Sequence, residues 1–300
     1  MRLKLKQLKQ TLLLASILLP AQALSQQVIN LYGKEAPPYS KAHTLKEYES
    51  DCWGVVCVYN VTTPTLTLFA PEMKPTGEAV LVLAGGGYET QAIYHEGYDV
   101  ARKLAENGIF SAVLKYRLPK LESSIQPELV PLTDVRAAIS LLREKHKSFK
   151  IDPNKIGVLG FSAGSHLATV ASVHLSKNKL VNPNFSILIY GVSRLNKENK
   201  EWLENTLYHR TMTSDEVKYN TLLEHIKPST PPAFLVHSMD DDICHYSEST
   251  LYAETLTSKG VPVEMHLFSS GGHGFGLGHK EQGTDQWINL AINWIKRNKL

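Results

Sequence analysis

Residues 155–168 have the sequence KIGVLGFSAGSHLA, which decides the fold. The run 155–159 is typical of a strand buried on both faces, and a helix is expected over 163–175. Between them, residues 160–164 form a G-x-S-x-G motif centred on Ser162. In a strand–turn–helix context this motif lifts the serine into a strained, exposed turn, where flanking side chains would collide with backbone. We therefore predict that Ser162 is a nucleophile and that the amide of Ala163, at the helix N-terminus, faces the developing negative charge.

The same alternation of buried strands and amphipathic helices extends along most of the chain. Strands are expected at 79–83, 109–116, 155–159, 185–190, 233–238 and 263–268, and helices at 94–107, 131–147, 163–175, 247–259 and 285–296. This order predicts an α/β fold with a mostly parallel central sheet and helices on both faces. Residues 55–61 and 65–71 precede it and predict an antiparallel hairpin at the sheet edge. Ligands of such sheets bind at the carboxyl ends of the strands, so candidate residues should follow strands.

A serine hydroxyl needs a base, and the sequence offers twelve histidines. His273 lies in the glycine-rich loop 271–276 directly after the expected strand 263–268, and this loop can carry an imidazole toward Ser162. His166 follows the serine on its helix, where a packing or cap role is expected. The remaining alternatives lie in strands (His237 and His266) or in loops and at helix starts (His95, His245 and His279).

The acid that orients this imidazole is expected directly after strand 233–238, in the sequence Met239-Asp240-Asp241-Asp242. Asp241 is selected because Ile243 begins the return into the next helix. Asp240 and Asp242 remain alternatives, as turn and N-cap residues. A calcium loop is disfavoured because three consecutive aspartates lack the ligand spacing that calcium requires. The chain order Ser162, Asp241, His273 is the order found in α/β-hydrolases.

The glycine run 85–87 follows the expected strand 79–83. Glycines allow backbone amides to approach a substrate closely, and the amides of Gly86, Gly87 and Ala163 are predicted to form an oxyanion hole. A plain turn is the alternative. A phosphate-binding loop is disfavoured because no G-K-[ST] sequence follows.

The N-terminal residues 1–23 resemble a signal peptide, with a basic start, a short apolar run and Ala21-Gln22-Ala23 as a cleavage site. An uncleaved interfacial anchor is the alternative, and the run is too short for a stable membrane span, which takes roughly 20 apolar residues. The chain carries a formal charge of +3. Cleavage would remove four basic residues and leave one more acidic than basic residue, so no nucleic-acid partner is expected.

The remaining chain is divided into an irregular lead-in at 24–51 and an α/β-hydrolase domain at 52–300, in which 194–227 forms a partial lid or a substrate wall. Cys52 and Cys57 could pair in an oxidising compartment. If both lie on one strand, however, their side chains point to opposite faces, and the question stays open. Cys244 has no obvious partner, and the three cysteines do not form a zinc pattern.

Five segments resemble the esterase/lipase branch of the α/β-hydrolase superfamily, and more closely the secreted, xylanase-like carbohydrate esterases that deacylate plant or algal polysaccharide. They are VTTPTL at 61–66, GGGY at 85–88, HEG at 95–97, KYRLP at 115–119 and GFSAGSHLA at 160–168. The resemblance extends from Cys52 to the C-terminus and implies the same triad, oxyanion loop and fold, with no cofactor. No metal site is expected, because neither the cysteines nor the consecutive aspartates have the spacing of metal ligands. Two positions depart from the pattern, since Ala84 replaces a histidine and Ser165 replaces a glycine.

Tyr88 and Glu96 follow the oxyanion loop, where they could contact a sugar or hold the loop. Arg117 and Asp134 are expected to form a structural ion pair. The expected function is a serine esterase that removes small acyl groups, chiefly acetyl, from a small-molecule or polysaccharide ester. The alternatives are a general short-chain carboxylesterase or lipase, a peptidase of the same superfamily, and a non-catalytic carbohydrate-binding protein. The sequence leaves the oligomeric state open.

Overall fold

The computed structural model describes residues 27–298, so the predicted signal peptide, residues 1–23, lies outside the described residues. The strands are β1 (Gln27–Asn30), β2 (Tyr48–Cys52), β3 (Val55–Tyr59), β4 (Thr65–Phe69), β5 (Ala79–Leu83), β6 (Thr90–Gln91), β7 (Phe110–Lys115), β8 (Ile156–Phe161), β9 (Phe185–Ile189), β10 (Ala233–Ser238) and β11 (Val263–Phe268).

The α-helices are α1 (Asp99–Glu106), α2 (Val130–Glu144), α3 (His146–Phe149), α4 (Ala163–Val173), α5 (Lys197–Leu203), α6 (Ser214–Asn220), α7 (Ser247–Ser258) and α8 (Trp287–Arg297). Two π-helical turns occur at Ile93–Tyr98 and Glu204–Tyr208. Single 3₁₀ turns lie at Pro127–Leu129, Lys179–Val181, Leu222–His225, Lys280–Gln282 and Thr284–Gln286.

The main sheet has eight strands in the order β1-β4-β7-β5-β8-β9-β10-β11. The six strands from β7 to β11 in this order are parallel to one another. At one edge of the sheet, β4 pairs antiparallel with β7, and β1 pairs antiparallel with β4. All residues of β5, β8, β9 and β10 are buried, which means that both faces are covered. The predicted α/β fold with a mostly parallel sheet is confirmed.

The predicted N-terminal antiparallel hairpin is present, but its strands differ from the expected ones. Residues 48–52 and 55–59 form it as β2 and β3, and with β6 they make a separate three-stranded sheet. Residues 65–69 join the main sheet as β4, so the expected pairing of 55–61 with 65–71 is wrong. Asn60, which leaves β3 at a φ of +53°, takes the chain from one sheet to the other.

The lead-in at 24–51 is not irregular throughout, because it contributes β1 to the main sheet and β2 to the hairpin. Both strands are largely exposed, and neither shows the alternation of apolar and polar residues that marks a half-buried strand. Backbone hydrogen bonds to β4 and β3 define these strands, and such bonds leave no alternating apolar pattern in the sequence.

Cys52 and Cys57 form a disulfide, with their Cα atoms 5.8 Å apart. Cys52 ends β2 whereas Cys57 lies within β3, opposite Ser50. Because the two cysteines lie on neighbouring strands and not on one strand, their side chains are not forced to opposite faces and can pair. Cys244 is a free, buried thiol.

The predicted ion pair between Arg117 and Asp134 is present and buried, with 2.7 Å between Nη2 and Oδ1. It also fastens the N-terminal segment to the domain. The Tyr32 hydroxyl donates to Asp134 Oδ1 (2.9 Å), and Arg117 Nη1 donates to the carbonyl of Pro38 (2.7 Å). Among residues 27–298, no helix combines the length and the apolar character needed to cross a bilayer.

Candidate active site

Ser162 lies at the turn between β8 and α4, with φ +49° and ψ −119°. This left-handed conformation is strained for a residue with a side chain, and close packing around the turn maintains it. A Cβ atom on Gly160 would overlap the carbonyl of Gly164, and one on Gly164 would overlap the carbonyls of Leu83 and Ala84. The two motif glycines are therefore required by the neighbouring backbone, as the sequence predicts.

The hydroxyl of Ser162 lies 2.9 Å from Nε2 of His273, and Nδ1 of His273 lies 2.8 Å from Oδ2 of Asp241. In the tautomer with a proton on Nδ1, His273 donates to Asp241 and accepts from Ser162. The three residues follow β8, β11 and β10, whose parallel alignment brings their carboxyl ends to one edge of the sheet. The structure thus brings together the three residues selected from the sequence.

Asp241 is buried and held from several directions. Its Oδ1 accepts from the amides of Ile243 (3.0 Å) and Cys244 (2.8 Å). His237 Nε2, which donates to the carbonyl of Cys244, also lies 3.2 Å from Oδ2. Burial acts to raise the pKa of Asp241, but the hydrogen bonds from His237 and His273 outweigh it and hold the pKa below the ordinary range. Asp241 is therefore a carboxylate that can stabilise an imidazolium.

The two neighbouring aspartates have different positions. Asp240 accepts from the amides of Gly271 (3.2 Å) and Gly272 (2.8 Å), so it fastens the loop that carries His273 to the end of β10. Asp242 is exposed at the wall of the cavity. Neither makes the contact with His273 that Asp241 makes.

Of the other histidines, His166 is a packing residue, as expected. Its Nδ1 accepts from the hydroxyl of Tyr88 (2.8 Å), and burial lowers its pKa to about 3. His237 occupies the core, but its contact with Asp241 is a role that the sequence does not indicate. His95 donates from Nε2 to the carbonyl of Gly274 (2.9 Å) and thereby supports the His273 loop.

The glycine loop after β5 includes two glycines at positive φ, Gly86 (+131°) and Gly87 (+65°). The amide of Gly85 donates to Glu96 Oε2 (2.6 Å) and is therefore not free to donate to an oxyanion. Gly86, Gly87 and Ala163 line the same cavity as Ser162, and none of their amides donates a hydrogen bond within the described residues 27–298. This arrangement is compatible with the predicted oxyanion hole.

Glu96 connects the two loops that flank Ser162. Besides accepting from Gly85, it accepts from the hydroxyl of Tyr190 at Oε1 (2.8 Å). That hydroxyl in turn accepts from the amide of Gly276 (3.1 Å), and the Tyr190 ring packs 4.9 Å from the His273 ring. Burial raises the pKa of Glu96 and outweighs the opposing hydrogen bonds from Tyr190 and Gly85. Glu96 lines the cavity, but both of its oxygens are used to hold the loops.

Tyr88 is buried behind the cavity rather than at its wall. Its φ of +65° turns the side chain inward, where the ring stacks on Trp202 with 5.5 Å between centroids. Only 2% of the residue is exposed. These contacts indicate that Tyr88 holds the oxyanion loop and does not contact a sugar.

The cavity at Ser162 has a volume of about 580 Å³. The hairpin β2–β3 contributes Trp53 and Val55 to its walls, and α5 contributes Glu198, Asn199 and Trp202. Part of the segment 194–227 is thus a wall of the cavity. No motif in the sequence marks either tryptophan as a site residue, although Trp53 and Trp202 are two of only four in the chain. Across residues 27–298, no group of three or more potential metal ligands is present.

Comparison with known proteins agrees with this fold. The profile of the BD-FAE family matches residues 66–256, which is more than half of the chain. The chain belongs to the BD-FAE family. A crystal structure of an acetyl ester-xyloside bifunctional hydrolase from Caldicellulosiruptor lactoaceticus is 32% identical, with a TM-score of 0.69, over 78% of this chain and 88% of that chain. MGS-M1, an α/β-hydrolase from a deep-sea metagenome library, is 26% identical, with a TM-score of 0.58, over 84% and 97% of the two chains.

Two curated relatives carry names from xylan chemistry. An acetylxylan esterase of Xylanibacter ruminicola is 32% identical over 77% of this chain and 48% of the relative. Endo-1,4-beta-xylanase B of Butyrivibrio fibrisolvens is 29% identical over 73% of this chain and 35% of the relative. The chain therefore spans less than half the length of either protein. The predicted kinship with the esterase branch of the α/β-hydrolases and its xylanase-like members is confirmed.

Proposed function

We propose that this BD-FAE family member is a serine esterase that removes small acyl groups, chiefly acetyl, from carbohydrate. The observation that carries the proposal is the chain of contacts from Ser162 Oγ to His273 (2.9 Å) and from His273 to buried Asp241 (2.8 Å). Ser162 and His273 line a cavity that is large enough for a small ester and part of its alcohol.

In the first half of the reaction, Ser162 attacks the ester carbonyl and His273 accepts its proton. The amides of Gly86, Gly87 and Ala163 donate to the oxyanion, and each such donor is worth about 3 kcal/mol of transition-state stabilisation. Asp241 stabilises the imidazolium without taking its proton. His273 then protonates the departing alcohol, which leaves an acyl-Ser162 ester.

In the second half, water attacks this acyl ester. His273 removes a proton from the water and then returns it to Ser162 Oγ, which releases the carboxylic acid and restores the enzyme. All proton transfers pass through one imidazole, so no metal or cofactor enters the proposed mechanism.

The substrate class rests on the relatives and on the cavity walls. An acetylxylan esterase and an acetyl ester-xyloside hydrolase among the similar proteins support acetyl groups on a xylan-type chain. Trp53 and Trp202 at the cavity offer aromatic surface, while Glu198 offers a carboxylate that can accept hydrogen bonds from sugar hydroxyls. A carbohydrate as the alcohol part of the ester agrees with this mixed lining.

We further propose that the protein is exported, with cleavage after Ala23, and that residues 52–300 form the catalytic domain behind the lead-in 24–51. The signal-like sequence supports export, and so does the Cys52–Cys57 disulfide, since disulfides persist in oxidising compartments. Mass spectrometry of the mature N-terminus of the expressed precursor would test this, and a retained Met1 would contradict it.

A fluorophosphonate probe and an activity panel test the catalytic proposal. The parent should bind the probe covalently and should release acetate from acetylated xylan. Ser162→Ala should lose both, while its far-UV circular dichroism matches the parent.

The panel also separates the alternative functions. Equal preference for 4-nitrophenyl esters and acetylated xylan would indicate a general short-chain esterase, and cleavage of peptide amides would indicate a peptidase. Absence of labelling, with Ser162→Ala equal to the parent, would indicate a carbohydrate-binding protein instead.

A further inference from the structure

Trp53 occupies a backbone position for which tryptophan is poorly suited. Trp53 and Gly54 form the two-residue turn between β2 and β3, with φ angles of +58° and +82°. A two-residue turn with both residues at positive φ matches type I′, which strongly prefers Asn-Gly. A bulky side chain at positive φ is strained, so the turn itself does not explain the tryptophan.

The indole is also poorly placed for packing, since Trp53 is 80% exposed. It gains little from burial, whereas tryptophan is usually well buried. Trp53 nevertheless lines the cavity that contains Ser162. Ligand pockets are lined mainly by apolar and aromatic side chains, so the position of this exposed indole at the cavity favours ligand contact over core packing.

The hairpin that carries Trp53 is held in place by several contacts. The Cys52–Cys57 disulfide joins its two strands next to the turn. The hydroxyl of Thr90 donates to the carbonyl of Val58 (2.8 Å), and the hydroxyl of Tyr94 donates to Glu49 (2.6 Å). These contacts limit the movement of the turn backbone that carries the indole, which lowers the ordering cost of binding.

We propose that the indole face of Trp53 is a stacking platform for a neutral pyranose ring next to the acylated sugar. This inference rests on the proposed esterase function and specifies how its carbohydrate is recognised. The C–H groups on one face of a pyranose carry partial positive charge, and an aromatic face carries partial negative charge, so the two attract. The ester reaches Ser162 inside the cavity, whereas the neighbouring sugar of a chain extends outward over the rim.

Replacement of Trp53 by asparagine separates stacking from hairpin stability. Asparagine is favoured at this turn position, so Trp53→Asn removes the indole without weakening the turn. We expect kcat/KM on acetylated xylohexaose to fall about tenfold more than kcat/KM on 4-nitrophenyl acetate, mainly through KM. Trp53→Phe, which keeps an aromatic face, should recover most of this selective loss.

Val56→Thr is the matched control because Val56 is an exposed apolar residue of the same hairpin that does not line the cavity. This variant should resemble the parent on both substrates. Equal losses on both substrates in Trp53→Asn would overturn the platform in favour of a structural role, and so would no loss on either.

Binding measured without catalysis distinguishes this inference from the proposed function. Calorimetric titration of Ser162→Ala with acetylated xylohexaose should show binding that weakens about tenfold when Trp53→Asn is added. If the parent binds through Trp53 but hydrolyses no ester, the esterase proposal fails and the platform stands. If the parent hydrolyses acetylated xylan and the affinity of Ser162→Ala is unchanged when Trp53→Asn is added, only the platform proposal fails.

Discussion

The strand-end loops that carry Ser162, Asp241 and His273 and the hairpin β2–β3 border the same cavity, but they are built differently. Each loop begins directly after a fully or partly buried strand of the parallel sheet, and its position is set by that strand. The hairpin belongs to a separate three-stranded sheet and depends on a disulfide and a few side-chain contacts. The sheet therefore positions the proposed chemistry, whereas the hairpin shapes what can approach it.

The largest expected effect concerns the acid behind His273. Asp241→Asn should lower kcat for 4-nitrophenyl acetate by about 10⁴-fold, because an amide at this position favours the wrong imidazole tautomer. Asp240→Asn is the matched control, since Asp240 accepts from the backbone amides of Gly271 and Gly272 rather than from the His273 imidazole. Its loss should be much smaller. Equal losses would contradict the assignment of Asp241 as the acid that orients His273.

These residues could be chosen from the sequence because each follows a recognisable strand and has a short-range signature. The glycines around Ser162 and His273 are required by local backbone geometry, and local requirements leave marks in one sequence. Asp241 was harder to select, since Asp240 and Asp242 share its position after β10. What separates them is contact with His273 and His237, which only the folded chain shows.

The cavity walls could not be predicted in the same way. The partner of β3 is β2 rather than β4, and neither choice is encoded by a local pattern, because backbone hydrogen bonds determine the pairing. Tyr88 follows the oxyanion loop as closely in sequence as a sugar-binding residue would, yet its positive φ turns it into the core. Such features depend on contacts between segments that are far apart in the chain.

A substitution at Glu96 tests whether the oxyanion loop and the His273 loop depend on each other. Glu96→Gln should reduce kcat by roughly 10- to 100-fold with a smaller change in KM, since misplacing a catalytic group by about 1 Å can cost 10²-fold. The amide can no longer accept from both Gly85 and Tyr190, so the oxyanion loop and the His273 loop lose their common anchor. A change confined to KM would instead indicate that Glu96 contacts substrate directly.

The raised pKa of Glu96 gives this variant a second readout. A carboxyl whose pKa is raised by folding contributes stability below its unfolded-state pKa and loses that contribution as the pH rises through the folded-state value. Glutamine does not titrate. The free energy of unfolding of the parent, relative to Glu96→Gln, should therefore fall between pH 4 and pH 8 in urea titrations, and a rise over this interval would contradict the assignment.

A smaller effect is expected where the N-terminal segment is fastened to the domain. Tyr32→Phe removes the hydroxyl that donates to buried Asp134, and it should lower the free energy of unfolding by about 1.5 kcal/mol, the lower end of the range for a hydrogen bond to a charged group. Turnover should be unchanged because Tyr32 does not line the cavity. Tyr39→Phe is the control, since no hydrogen bond of the Tyr39 hydroxyl is found within residues 27–298. Equal destabilisation of both variants would refute a specific contribution from the Tyr32–Asp134 bond.

The smallest expected effect concerns the hairpin β2–β3 and the Cys52–Cys57 disulfide that joins its strands. Without the disulfide, the turn that carries Trp53 samples more conformations, so part of the preorganisation for a sugar ring is lost. The double variant Cys52→Ser/Cys57→Ser should therefore raise KM for acetylated xylohexaose by about threefold, while the parallel sheet still holds the triad. Treatment of the parent with dithiothreitol should reproduce this change, and the double variant should be insensitive to the reagent. If reduction instead lowered kcat on both xylohexaose and 4-nitrophenyl acetate, the hairpin would support the chemistry itself, and the proposed division of roles between sheet and hairpin would be wrong.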